Sequence, residues 1–179
     1  EKIFDLGVMN VVKLDALPPG AKPIATRWVY ASKIREHSNG EVEHSARVVA
    51  KGFAEVQQNN YLRYDCPTMQ LPAYLMNEAR AARDASIVRE GWDVSGAYYR
   101  SDPRKIIYVY APPGYDRSKE SGDRLVWRLK KSLPGTTDAG RNWYTTFSKF
   151  LTDKIGMRSN KADAASLELE RGDNWVSMN

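Results

Sequence analysis

The spacing of apolar and polar positions changes several times along the chain, and each change marks an element. Between residues 24 and 33, apolar Ile24, Trp28 and Tyr30 alternate with Arg27 and Val29, the two-residue period of a strand with one dry face. An irregular start and a turn at Leu17-Pro18-Pro19-Gly20 precede it. Ser38-Asn39-Gly40 contains the Asn-Gly pair whose tolerance of positive φ closes hairpins, and Val42 to Lys51 is a second extended run. Residues 24–51 are therefore expected to form an antiparallel hairpin. From Pro72 to Val88 the spacing lengthens to three and four, with Leu75, Ala79, Ala82 and Ala85 on one side and Gly91 beyond, which predicts a helix over 72–88. Trp92-Asp93-Val94 and the β-branched and aromatic runs after it predict strands near 91–95, 105–110 and 123–130. Trp143, Phe147, Phe150, Leu151 and Ile155 form one stripe of an amphipathic helix over 139–155. Leu167-Glu168-Leu169 and Trp175-Val176-Ser177-Met178 flank Gly172-Asp173 as a last hairpin. This order of elements predicts an α+β fold with an antiparallel sheet.

Composition narrows the class. With 42% apolar residues in 179, the chain is rich enough for a packed core, and it has no apolar run near the roughly 20 residues that cross a bilayer. The single Cys66 excludes a disulfide framework, and with two His it cannot build an ordinary four-ligand zinc site. The absence of a signal segment and of an Asn-x-Ser/Thr acceptor fits an intracellular location. The net charge is +5, and residues 91–179 hold 15 basic against 11 acidic groups. Such a surplus favours phosphate backbones as partners, and on charge alone an ordinary basic, solvated surface accounts for it equally well.

Much familiar chemistry is missing. There is no GxSxG elbow, HExxH helix, GxxxxGK[ST] loop or GxGxxG turn. Nothing near Cys66 lowers the pKa of its thiol, so a buried or half-buried cysteine is expected. His37 beside a turn and His44 in a strand read as surface or packing residues.

Trp92-Asp93-Val94-Ser95-Gly96-Ala97-Tyr98-Tyr99 places an Asp at a strand end, with small residues and an aromatic following five positions later. This segment resembles the first catalytic motif of a reverse transcriptase palm. Its neighbours sharpen the likeness: Leu17 to Ile24, Arg27-Trp28-Val29-Tyr30, Asn39 to Glu43, Ala46 to Phe53, Tyr108 to Tyr115, Leu129 to Leu133 and Arg141 to Tyr144. They occur in the order and spacing of copia-type retrotransposon polymerases, and the resemblance covers nearly the whole chain after residue 16.

The resemblance implies a single partial reverse transcriptase domain over 1–179, with fingers and connection at about 17–90 and an incomplete palm at about 91–179. In the family, two divalent ions bridge the primer 3′ hydroxyl and the nucleotide phosphates. Carried over, Asp93 is the catalytic metal ligand and the Val94 carbonyl an additional oxygen. Tyr98, with Ala97 beside it, lies under the nucleotide sugar and excludes a 2′ hydroxyl. Arg47 reaches the triphosphate, with Lys33 and Lys51 adding positive charge, as phosphoryl transfer demands. The implied partners are an RNA or DNA template-primer and a deoxynucleoside triphosphate, with Mg2+ as cofactor. The implied location is cytoplasmic or in virus-like particles, and no membrane is expected.

The chain also departs from the pattern. Ser95 and Gly96 stand where copia-type enzymes have Lys-Thr, and Ala31 stands where a Lys is common. Leu133-Pro134-Gly135-Thr136-Thr137-Asp138-Ala139-Gly140 stands where Leu-Tyr-Gly-Leu-Lys-Gln-Ala-Pro is usual. A loop that loses a Lys and gains an Asp grips an anionic template less well. No Asp-Asp pair occurs anywhere in the chain, so the family's Tyr-x-Asp-Asp motif is missing, and with it two of three metal-binding carboxylates. A lone Asp holds Mg2+ weakly or not at all. The expectation is a fragment inactive by itself, lacking the rest of the palm, the thumb and any RNase H or integrase region. Its open sheet edge predicts self-association. The alternative is a degenerate module without catalysis that at most binds nucleic acid or a protein partner.

Overall fold

The computed structural model describes residues 2–34, 41–55, 66–115, 122–171 and 174–178. The turn at Asn39-Gly40, His37 and the turn at Gly172-Asp173 lie outside the described residues. Within them, the order is α1 (Lys2–Asp5), β1 (Met9–Lys13), β2 (Thr26–Ile34), β3 (Val42–Ala50), α2 (Leu71–Arg83), β4 (Tyr108–Val109), β5 (Leu125–Leu129), α3 (Ala139–Phe150), β6 (Arg158–Ser159), β7 (Leu167–Arg171) and β8 (Asn174–Met178). The fold is mixed α+β with antiparallel strand pairing, as the spacing predicts.

The strands form three small sheets, ordered β1-β5-β4, β2-β3 and β6-β7-β8. The β2–β3 hairpin keeps one register from Thr26 opposite Ala50 to Ile34 opposite Val42. Its base is fastened to the first sheet through Ile24, whose N–H donates to the Tyr108 carbonyl at 2.9 Å and whose carbonyl accepts from Tyr110 N–H at 2.9 Å. The core lies at this junction, where Ile24, Val48 and Ala50 meet Ile107, Val109, Trp127, Leu129 and Leu133. A smaller cluster of Leu151, Met157 and Leu167 sits under the last hairpin.

The dry face of the first hairpin ends early. Trp28 is half-buried, but Tyr30 is 73% exposed, so the outer half of the hairpin stands in solvent. At its base the chain crosses the 133–136 loop backbone to backbone, with Ala50 N–H donating to the Pro134 carbonyl at 2.8 Å. Gly135 has φ +89°, and a Cβ there would collide with the Ala50 carbonyl, so the crossing requires glycine twice over.

Several expected boundaries shift. The strand expected at 91–95 is absent: those residues form an irregular segment, and Gly96 at φ +68° turns the chain into a single 3-10 turn at Ala97–Arg100. The strand expected at 105–110 shrinks to β4. The helix expected over 72–88 stops at Arg83, because the Asp84 carboxylate accepts from the Ser86 N–H at 2.9 Å and hydroxyl at 2.6 Å in a turn that competes with the helix. These bonds hold the Asp84 carboxyl below its ordinary pKa. The helix expected over 139–155 is α3 followed by a π turn at Leu151–Ile155, which ends on Gly156 at φ +84°. Leu151 is buried while Phe150 and Ile155 are exposed. Cys66 is exposed rather than buried, and its Sγ lies 3.3 Å from the Gly140 carbonyl. The irregular start contains α1 and β1.

Candidate nucleotide-binding cleft

Residues 93–101 are held by short-range hydrogen bonds. The Val94 carbonyl accepts from Ala97 N–H at 3.2 Å, and Gly96 carbonyl from Tyr99 N–H at 2.9 Å. The Tyr98 carbonyl accepts from both the N–H and the hydroxyl of buried Ser101, at 3.1 and 3.0 Å. The Ser101 carbonyl in turn takes the Ser132 N–H at 2.8 Å, which ties the turn to the segment before α3. The outcome is a rigid turn with Asp93 exposed at its rim. The carbonyl oxygen of Val94 keeps a second lone pair beyond its bond to Ala97.

This turn faces β3 across a cleft of about 720 Å³. The cleft gathers Asp93, Val94, Ala97 and Tyr98 from the turn, Arg47 from β3 and Lys33 from β2. Lys51 is not among its lining residues; its N–H donates to the Ala25 carbonyl at 2.8 Å, at the hairpin base. Four successive β3 residues, Ser45 to Val48, line it together with Trp28 of β2. Burial pushes the Tyr99 phenol above its ordinary pKa, and the positive charge of Arg47 pulls it back. The guanidinium therefore bears on the same space as the tyrosines.

The other wall is not legible in the sequence. Phe4 stacks on Tyr115 with ring centres 5.6 Å apart and meets Trp127 edge-on at 5.9 Å, while Trp28 lies 5.6 Å from Tyr115. The Trp28 indole N–H donates to the Pro113 carbonyl at 3.0 Å, which fixes that ring. No motif announces Phe4, which lies ahead of the resemblance; Trp28 and Tyr115 lie inside quoted motifs, yet nothing local signals that they meet. Glu43, opposite Lys33, also lines the cleft. Among the described residues no three His, Cys, Asp or Glu side chains converge, and no helix is long and apolar enough to cross a membrane. His44 has its Nδ1 2.9 Å from the Ser32 hydroxyl on the exposed hairpin.

Residues 9–169 match the family model described as reverse transcriptase (RNA-dependent DNA polymerase). The chain is 26% identical over 159 residues to the retrovirus-related Pol polyprotein from transposon TNT 1-94 of Nicotiana tabacum, covering 89% of this chain and 12% of the polyprotein. It is 26% identical over 162 residues to the Pol polyprotein from transposon RE2 of Arabidopsis thaliana, 90% of this chain and 11% of that protein. Over 118 residues it is 35% identical to the transposon Ty1-ER2 Gag-Pol polyprotein of Saccharomyces cerevisiae, 64% of this chain and 6% of that one. The chain thus spans a small part of the relatives it matches. No solved structure matches it.

Proposed function

The chain belongs to the reverse transcriptase (RNA-dependent DNA polymerase) family, and we propose that it supplies the fingers hairpin and part of the palm of a copia-type retrotransposon polymerase. In this reading residues 17–90 are fingers and connection and residues 91–179 an incomplete palm. The observation that carries it is the single cleft shared by Asp93, Val94, Ala97, Tyr98, Arg47 and Lys33, which come from three separate segments. A nucleoside triphosphate in that cleft has its phosphates toward Arg47 and Lys33 and its sugar over Tyr98. Positioning and charge neutralisation are most of what phosphoryl transfer asks of a protein.

A divalent ion, when bound, supplies activation of the primer hydroxyl and stabilisation of the leaving pyrophosphate. The described residues do not make a two-ion centre by themselves. Asp93 and the Val94 carbonyl are one part of such a site, and the remaining carboxylates belong to a Tyr-x-Asp-Asp segment that these 179 residues do not contain. The chain alone is accordingly inactive as a polymerase, and template-directed transfer belongs to the intact parent.

Primer extension on an RNA template with Mg2+ tests this, comparing the chain with a longer version that carries an in-frame Tyr-x-Asp-Asp segment. Incorporation is expected only from the longer version, and its Asp93→Asn variant should fall to background while staying folded. Equal activity of Asp93→Asn would remove the metal assignment. Silence of a folded longer version would favour the second reading, a module that has lost catalysis and keeps nucleic-acid binding. The departures from the copia pattern at Ser95, Gly96 and residues 134–140 favour that reading.

A further inference from the structure

The β1-β5-β4 sheet has a second face, away from the cleft. Along β5, Trp127 and Leu129 are buried in the core, while Arg128 between them and Lys130 after them are exposed on the opposite side. Arg128 lies across from Asn10 of β1 and Tyr108 of β4. The loop from Asp102 to Ile106 and this face line an open groove of about 450 Å³, with the cations Arg104, Lys105, Arg128 and Lys130 among its walls. Its one lining carboxylate, Asp102, is held by Lys131 at 2.6 Å. Among the described residues no carboxylate pairs with Arg128 or Lys130.

We propose that this groove binds the sugar-phosphate backbone of a nucleic acid, at a site separate from the nucleotide cleft. Four cations from two segments line one space, and Arg128 in β5 and Lys130 just past its end, two residues apart, lie no more than about 7 Å from each other along the backbone. That is a row of charges, suited to a polyanion rather than to one ion. Two of the four are arginines, whose planar fork matches phosphate oxygens. Among the described residues its lining contains no aromatic ring. Base stacking needs such a ring, so the contact is to phosphates and insensitive to sequence.

Fluorescence anisotropy with a labelled 20-nucleotide strand, over a range of salt concentrations, measures it. R128E/K130E should bind about tenfold more weakly at low salt, with a log–log salt slope smaller by about two. The neutral pair R128Q/K130Q should weaken binding in the same direction, and it replaces the reversed pair if that variant fails to fold by circular dichroism. K149E/K154E makes the same change in net charge on the exposed side of α3 and the turn after it, and should bind within about twofold of the parent. Unchanged binding by folded R128Q/K130Q, or equal losses in the two reversed variants, would overturn the site. Displacement of the strand by poly-glutamate at equal charge would also overturn it, in favour of an acidic protein partner.

Discussion

Asp138 is 1% exposed, immediately before α3, and among the described residues neither carboxylate oxygen has a hydrogen-bond partner. One helical turn on, Asn142 gives its Nδ2 to the Ser132 hydroxyl at 3.1 Å and leaves its Oδ1 without a donor. Buried acceptors without donors each cost about 1–3 kcal/mol. An amide at position 138 would bring an N–H2 group within one turn of the Asn142 oxygen. Asp138→Asn is therefore expected to raise the unfolding free energy by about 1–2 kcal/mol in urea titrations. A loss of stability would mean that the carboxylate meets a partner of its own. The sequence marks this residue only as a departure from the copia pattern; that it is sealed from water emerges only from the fold.

At the scale of elements, α2 inverts an expectation. Leu75, Ala79 and Ala82 have the spacing of a buried stripe, yet α2 buries no residue. Polar links hold it: the Gln70 N–H at its start donates to Asp163 Oδ2 at 2.7 Å, and Asn77 Nδ2 donates to the Ser177 hydroxyl at 3.3 Å. Asp163 is 7% exposed and also accepts from Ala165 N–H at 2.9 Å, so one side chain braces two segments. Asp163→Ala should cost about 1–3 kcal/mol and should speed amide exchange in α2 more than in β5. Uniform exchange changes would show that α2 is not separately anchored. Elements whose period was long and regular, such as β2 and β3, were legible because alternation and partner agree over nine residues each. The strand at 91–95 was not, since three suitable side chains cannot make a strand without a neighbour to pair with, and Gly96 turns the chain away. β1 has only Val8 to Val12 to announce it, and its pairing with β5 is set by residues more than a hundred positions distant.

For the molecule as a whole, the cleft was more legible than the sheet around it. Motif order brings Asp93, Tyr98 and Arg47 to attention, and the fold brings them together, whereas Lys51 is drawn off to the hairpin base and the aromatic wall comes from contacts no local pattern encodes. The same openness that makes the cleft accessible leaves much surface uncovered. The accessible area is 13277 Å² for a chain of 20.3 kDa, against roughly 8,800 Å² for a compact monomer of that mass. Exposed apolar side chains account for part of the excess, with Phe53, Val88 and Trp92 more than three-quarters exposed and Met76 and Leu71 about two-thirds. Among the described residues β8 pairs only with β7, so its outer edge offers unpaired backbone groups to another strand. Both features lower the free energy of contact with a second copy more than that of a solvated monomer. The isolated chain should accordingly sediment above 20.3 kDa at tens of micromolar, with unfolding transitions that depend on protein concentration. Val88→Glu/Trp92→Glu should move the population toward monomer if the apolar face drives association, and should leave it unchanged if the β8 edge does. A monomer with one sharp, reversible, concentration-independent transition would show that neither surface needs a partner.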